Sequence, residues 1–185
     1  MGWERTGTEV LHAGPFVALH RDSVLRPDGS AGAYEHVTVD DAVRVVALDD
    51  RDQVVLVEDD FYLQRRRVLH LPGGGSEGQA PLDAALRELE EETGLVADDL
   101  RLLGVIDPLP AITAARTHLF LASGLRPGMV RRDGTEIGMT VQWWTLAEAI
   151  EAVRVGRITD AGSVSALLLA GLAQLTQPAA DSPAG

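Results

Sequence analysis

An α+β fold is predicted by three observations. Short alternating, β-rich runs fill the first half of the chain. One amphipathic helix then breaks their two-residue period behind a run of glycines. Strands resume after it, and two further helices close the sequence. That order implies a mixed sheet flanked by helices and preceded by a small antiparallel β extension. Residues 1–40 form the extension, 41–175 the main domain, and 176–185 a flexible tail rich in Pro, Ala, Ser and Asp.

Strands are expected at Val10 to Leu11, Phe16 to Leu25 and Tyr34 to Val39, with the turn Arg26-Pro27-Asp28-Gly29 joining the last two as a hairpin. Ala42 to Leu48 and Val54 to Val57 read as a second pair around the polar turn Asp49-Asp50-Arg51-Asp52. Val68 to Leu71 is a brief strand ending at Pro72. From Pro81 to Thr93, Leu82, Ala85, Leu86 and Leu89 recur at helical spacing and mark the sheet-facing side, with proline in the first turn and Gly94 as the stop. Strands follow at Leu100 to Ile106, Thr117 to Ala122 and Met139 to Thr145. Thr145-Leu146-Ala147-Glu148 fits a capping box that opens a helix closed at Gly156. A last apolar helix spans Ser163 to Leu175. Trp143 and Trp144 alternate faces, one toward the core and one outward.

Composition narrows the function classes. With 16 basic and 28 acidic residues the chain carries −12, and every basic residue is Arg. So negative a protein lacks the basic face that nucleic-acid binding requires. No apolar run is long enough to span a bilayer, and no secretory signal opens the sequence, so a cytoplasmic, membrane-free protein is expected. Cysteine is absent, so any metal must be held by oxygen or nitrogen.

Chemistry concentrates in Leu71-Pro72-Gly73-Gly74-Gly75-Ser76-Glu77-Gly78-Gln79-Ala80-Pro81 and the helix behind it. On that helix Glu88, Glu91 and Glu92 stand at i, i+3 and i+4, so three carboxylates share one face. Like charges at that spacing cost about 0.2–0.5 kcal/mol per pair. A divalent cation held between them offsets the repulsion, and all-oxygen ligands select a hard ion, Mg²⁺ or Mn²⁺. A solvated acidic face is the ordinary reading of a bare Glu run. The adjoining glycine loop and Arg87, within ion-pair reach of its neighbours, favour the metal here.

Arg87-Glu88-Leu89-Glu90-Glu91-Glu92-Thr93-Gly94-Leu95 resembles the C-terminal half of the Nudix box, G-x5-E-x7-R-E-U-x-E-E-x-G-U with U aliphatic, at all nine positions. The resemblance implies an α/β/α sandwich with a mixed sheet. It makes Glu88, Glu91 and Glu92 metal ligands, joined by the carbonyl of Gly73. Glu91 and Arg87 then belong to the catalytic machinery, Arg87 by orienting the glutamates. Two departures stand in the first half: Gln79 replaces the box Glu, and the loop counted from Gly74 is one residue short. Gln79 still accepts a hydrogen bond, without charge.

Beyond the box, residues 10 to 172 are similar to the ADP-ribose pyrophosphatase branch of that family. The N-terminal extension, the strand Val54-Val55-Leu56-Val57-Glu58, Pro110 and Gly156-Arg157-Ile158-Thr159-Asp160-Ala161 carry the likeness. His70, Gly73, Ala114, Ala115 and Asp59-Asp60-Phe61 stand where the branch usually has other residues. The resemblance therefore implies metal-dependent cleavage of the pyrophosphate bond of ADP-ribose or a related nucleoside diphosphate sugar into two monophosphates. Alternatives are a triphosphate or dinucleotide pyrophosphohydrolase and a non-catalytic nucleotide-binding regulator. The branch further implies a homodimer paired through N-terminal strands, and a catalytic base on the loop before the last strand: Glu136, with Asp133 as rival. Arg65-Arg66-Arg67 is expected to be a solvated or interface cluster in preference to a phosphate clamp, and His118 a strand residue with a satisfied ring.

Overall fold

Alternation and turn chemistry convert into twelve elements in the computed structural model, which describes residues 2–128 and 138–176. In order they are β1 (Glu4–Ala13), β2 (Ala18–Leu25), β3 (Ala31–Thr38), β4 (Ala42–Ala47), β5 (Gln53–Phe61), β6 (Arg66–His70), α1 (Pro81–Thr93), β7 (Leu95–Ile106), β8 (Thr117–Pro127), β9 (Thr140–Thr145), α2 (Leu146–Arg154) and α3 (Ala161–Thr176). Among the described residues no helix is long and apolar enough to cross a membrane.

The expected hairpin forms between β2 and β3, in register from Ala18 opposite Thr38 to Leu25 opposite Ala31. Gly29 takes the left-handed conformation (φ 82°) that the turn requires, and Asp28 Oδ1 accepts the Ser30 N–H at 2.9 Å. β1 pairs antiparallel with β2 and completes a three-stranded sheet. It starts earlier than its sparse apolar pattern indicates and is exposed at all ten positions.

The second expected pair does not form. β4 and β5 meet at one bridge, Leu48 to Val54. β4 instead runs parallel to β8, with β7 antiparallel beyond it, while β5 lies between β6 and β9. The reason is burial: both strands are largely apolar and packed on both faces, so each needs neighbours and layers that a lone hairpin cannot supply. Asp49 Oδ1, accepting the N–H groups of Arg51 and Gln53, turns the chain from one sheet to the next.

The two sheets lie between helical layers. On one side α1 packs Ala84, Ala85 and Leu89 against Val43, Val45, Val55 and Phe120. On the other, Leu146, Ala149, Ala166, Leu167 and Ala170 of α2 and α3 cover Val46, Leu56, Leu69, Leu71 and Leu119. This is the expected α/β/α sandwich, with one correction. Leu82 and Leu86 are exposed, and the buried face of α1 carries Ala84, Ala85, Glu88, Leu89 and Glu92. Small alanines let the helix approach the sheet closely and carry two carboxylates inward with it.

Helix ends follow their caps. Pro81 opens α1, and Gly94, in the left-handed conformation, closes it by donating to Glu90 O. Thr145 and Glu148 form the reciprocal capping box of α2. Trp143 is exposed, while Trp144 packs against the core with the Arg157 guanidinium over its ring.

Candidate active site

The site is built where the loop after β6 meets α1. Hydrogen bonds from β4 hold the loop: Val45 N–H to Pro72 O at 2.9 Å and Val43 N–H to Gly74 O at 2.9 Å. Ser76 N–H returns one to Asp41 O at 2.7 Å. The approach is so close that a Cβ on Gly73, whose φ is 142°, would collide with Val43 O. Only glycine fits there. A Cβ on Gly74 would lie 2.6 Å from Glu88 Oε1, so this second glycine keeps clear the space beside that carboxylate.

On α1, Glu88 and Glu92 are 6% and 4% exposed, and Glu91 is half-buried. Charges so deep need compensation, and two sources are visible. Gly73 donates its N–H to Glu92 Oε2 at 2.9 Å. Arg87 reaches Glu88 Oε1 at 3.0 Å and Glu91 Oε2 at 2.9 Å, with further bonds to Gly75 O at 3.0 Å and Gln79 Oε1 at 3.1 Å. Burial opposes the Arg87 charge, but Glu88 and Glu91 outweigh it and hold the guanidinium above its ordinary pKa. Arg87 thus ties helix to loop, with Gln79 as an uncharged acceptor.

Among the described residues no three acidic or imidazole side chains converge closely enough to ligate one ion. The donor set nevertheless suits a hard dication. Its carboxylates are oxygen donors on one buried face, now compensated by a guanidinium and an amide, which are the partners a cation would relieve. Gly73 O accepts a bond from Arg44 Nη1 at 2.8 Å and keeps a second lone pair. Glu136 and Asp133 lie outside the described residues.

Several residues beside the loop were not anticipated. Arg44 pairs with Asp160 at 3.0 Å across 116 positions of sequence. Burial alone would raise the Asp160 carboxyl, but Arg44 and then Ser163 overcome it and lower its pKa to about 2. A lone Arg inside the apolar run Ala42 to Ala47 was the available signal, since a charge there demands a partner. His70 is buried against the Phe61 ring; its Nδ1 lies 2.8 Å from Leu71 O, and Nε2 has no hydrogen-bond partner. Burial and then Arg44 push its pKa down. His118 has its expected satisfied ring, 3.1 Å from Asp41 Oδ2. Of the arginine triplet, Arg66 donates to Thr159 Oγ1 and Arg67 to Glu58, so these two serve internal contacts.

Comparison with known proteins adds domain matches, relatives and a shared fold. Residues 38–163 match the NUDIX domain, and residues 3–37 match the nucleoside diphosphate sugar hydrolase N-terminal domain. An ADP-ribose pyrophosphatase of Mycobacterium tuberculosis (strain ATCC 25618 / H37Rv) is 34% identical over 169 residues, covering 90% of this chain and 82% of that protein. An ADP-ribose pyrophosphatase of Bacillus subtilis (strain 168) is 30% identical over 161 residues, covering 86% and 87%. A crystal structure of an ADP compounds hydrolase shares the fold with a TM-score of 0.84 at 22% identity, over 95% of each chain.

Proposed function

This chain belongs to the Nudix family, and on that footing we propose that it hydrolyses the pyrophosphate bond of ADP-ribose or a related nucleoside diphosphate sugar, releasing two monophosphates. The observation that carries the reading is the buried carboxylate face of α1, set against a glycine loop that closes on it through the Gly73–Glu92 bond. The pyrophosphatase relatives and the N-terminal domain match support the substrate class.

Glu88, Glu91 and Glu92, with the Gly73 carbonyl, would hold Mg²⁺ or Mn²⁺. When bound, such ions polarise the diphosphate and lower the pKa of water. The chain's own residues do the rest. Arg87 fixes the carboxylates, Gln79 braces Arg87, Gly73 lets the loop lie against β4, and Gly74 leaves room beside the Glu88 carboxylate. Glu136, with Asp133 as alternative, is assigned as general base from its place in the sequence.

A homodimer is part of the proposal. β1 is exposed along its whole length, and Trp3, Val10, Leu11, Phe16 and Val17 are exposed on or beside it. A three-stranded sheet with so much uncovered apolar surface is suited to a second copy.

The test is a panel of nucleotide sugars, dinucleotides and triphosphates with Mg²⁺ and Mn²⁺, with products read by chromatography. Two monophosphates from a nucleoside diphosphate sugar are expected. Turnover restricted to triphosphates, with pyrophosphate released, overturns the substrate assignment; binding without turnover overturns the enzyme.

A further inference from the structure

The Gly73 carbonyl already accepts a hydrogen bond, and its donor is charged. Arg44 Nη1 donates to Gly73 O at 2.8 Å and to Val43 O at 2.9 Å, so one nitrogen staples the loop to β4. The other edge of the guanidinium lies on Asp160, with Nε to Oδ2 at 3.0 Å and Nη2 to Oδ1 at 3.4 Å. Asp160 Oδ2 also accepts the N–H and hydroxyl of Ser163, at 2.8 and 2.7 Å. Ser163 Oγ in turn accepts the Leu71 N–H at 2.9 Å. Two links therefore run from the start of α3 to the segment 71–73, one through Arg44 and one through Ser163. Packing fixes the arginine stem as well: a Cβ on Gly162 would fall 2.8 Å from Arg44 Cγ.

A bare guanidinium on that carbonyl would repel any cation approaching its free lone pair. Paired with Asp160, the same guanidinium presents two donors and almost no net charge. Gly73 meanwhile meets Glu92 through its N–H, so whatever moves the Arg44 side of this residue also moves the carboxylate side.

We propose that Arg44 and Asp160 form a charge-neutral clamp, a positioning pair that fixes the Gly73 carbonyl and sets the affinity of the α1 carboxylates for a divalent cation. The clamp rests on the reading of Glu88, Glu91, Glu92 and Gly73 as the cation site, and neither member is itself a ligand. Asp160 acts through Arg44 and Arg44 through Gly73.

The test is Mn²⁺ titration of the full chain without nucleotide, with free ion followed by electron paramagnetic resonance and a thermal melt recorded for each variant. Asp160→Asn leaves the guanidinium uncompensated and is expected to weaken Mn²⁺ binding by about ten-fold or more. Arg44→Gln with Asp160→Asn removes both charges but also the hold on Gly73 O, and is expected to bind more tightly than Asp160→Asn alone, still weaker than the original, and to melt lower. A merely structural pair would behave otherwise, the double variant being both the least stable and the weakest binder. Gly162→Ala crowds the Arg44 stem, leaves both charges, and is expected to weaken binding. It decides the matter alone if Asp160→Asn does not fold. Unchanged affinity in Asp160→Asn or Gly162→Ala, or no recovery in the double variant, overturns the clamp while Glu92→Gln still abolishes binding. If Glu92→Gln binds Mn²⁺ like the original, the cation site itself fails instead.

Discussion

The Gly73 N–H donates to Glu92 Oε2 at 2.9 Å, so the backbone of the loop is bonded directly to a carboxylate on the buried face of α1. Loop and helix form one unit through this contact, and the position of Glu92 is set before any ligand arrives.

Glu92→Gln separates charge from shape. The amide oxygen still accepts the Gly73 N–H, so the melting temperature should hold, while metal-dependent hydrolysis falls by at least about a hundred-fold. Activity within a few-fold of the original would remove Glu92 from the reaction.

Gly74→Ala and Gly75→Ala make a matched pair. The first puts a methyl group 2.6 Å from Glu88 Oε1, whereas the second meets nothing within 4 Å. Gly74→Ala should lower kcat/KM by about ten-fold or more, and Gly75→Ala should leave it nearly unchanged. Equal effects would show that space beside Glu88 is not what the second glycine provides.

Gln79→Glu gives Arg87 a charged partner where it now has a neutral one at 3.1 Å. The donor is already ionised, and an ionised acceptor adds Coulomb attraction to the bond. Steady-state kinetics should therefore show kcat/KM raised by about two- to five-fold, and Gln79→Ala should lower it. A fall with Glu would mean that added negative charge outweighs the firmer brace.

Glu136→Gln should cut kcat by about a hundred-fold with KM little changed, the pattern of a proton-transfer group. An unaltered rate would pass the role to Asp133, testable by the same substitution.

Acid stability should report on Asp160. Its carboxyl falls from an ordinary 3.8 to about 2 in the folded chain, because Arg44 and Ser163 outweigh burial. A lowered folded pKa adds stability that is complete above the ordinary value and is lost as the pH falls through about 2. That contribution is about 2 kcal/mol. Urea unfolding of the original chain and Asp160→Asn should thus differ by about 2 kcal/mol less at pH 2 than at pH 7. A gap independent of pH would contradict the pairing.

Much of this was legible in the residues. Caps and stops located the helices, because Pro81, Gly94 and the Thr145–Glu148 box act locally. The carboxylate face followed from helical spacing alone, and the bond between Arg87 and Gln79 fits the uncharged brace read from the box. What escaped was non-local. Nothing in Val54 to Val57 says that its neighbours are β6 and β9, since a doubly buried strand has no polar face to betray its partner. Leu82 and Leu86 misled because a helix beside a charged site turns its carboxylates inward and leaves leucines outside. The bond from Arg44 to Asp160 joins residues 116 positions apart, beyond the reach of any spacing rule.

The parallel pairing of β4 with β8 has a consequence for biosynthesis. Ala42 lies beside Thr117, and Arg44 is paired with Asp160. Val43 and Val45, the staples of the glycine loop, therefore sit on a strand whose sheet neighbour leaves the ribosome long after it. Until then a nascent chain carries its acidic helix with no firm platform behind it. Truncated translation products ending before Asp160 would display the whole recognition motif without the contacts that brace its loop.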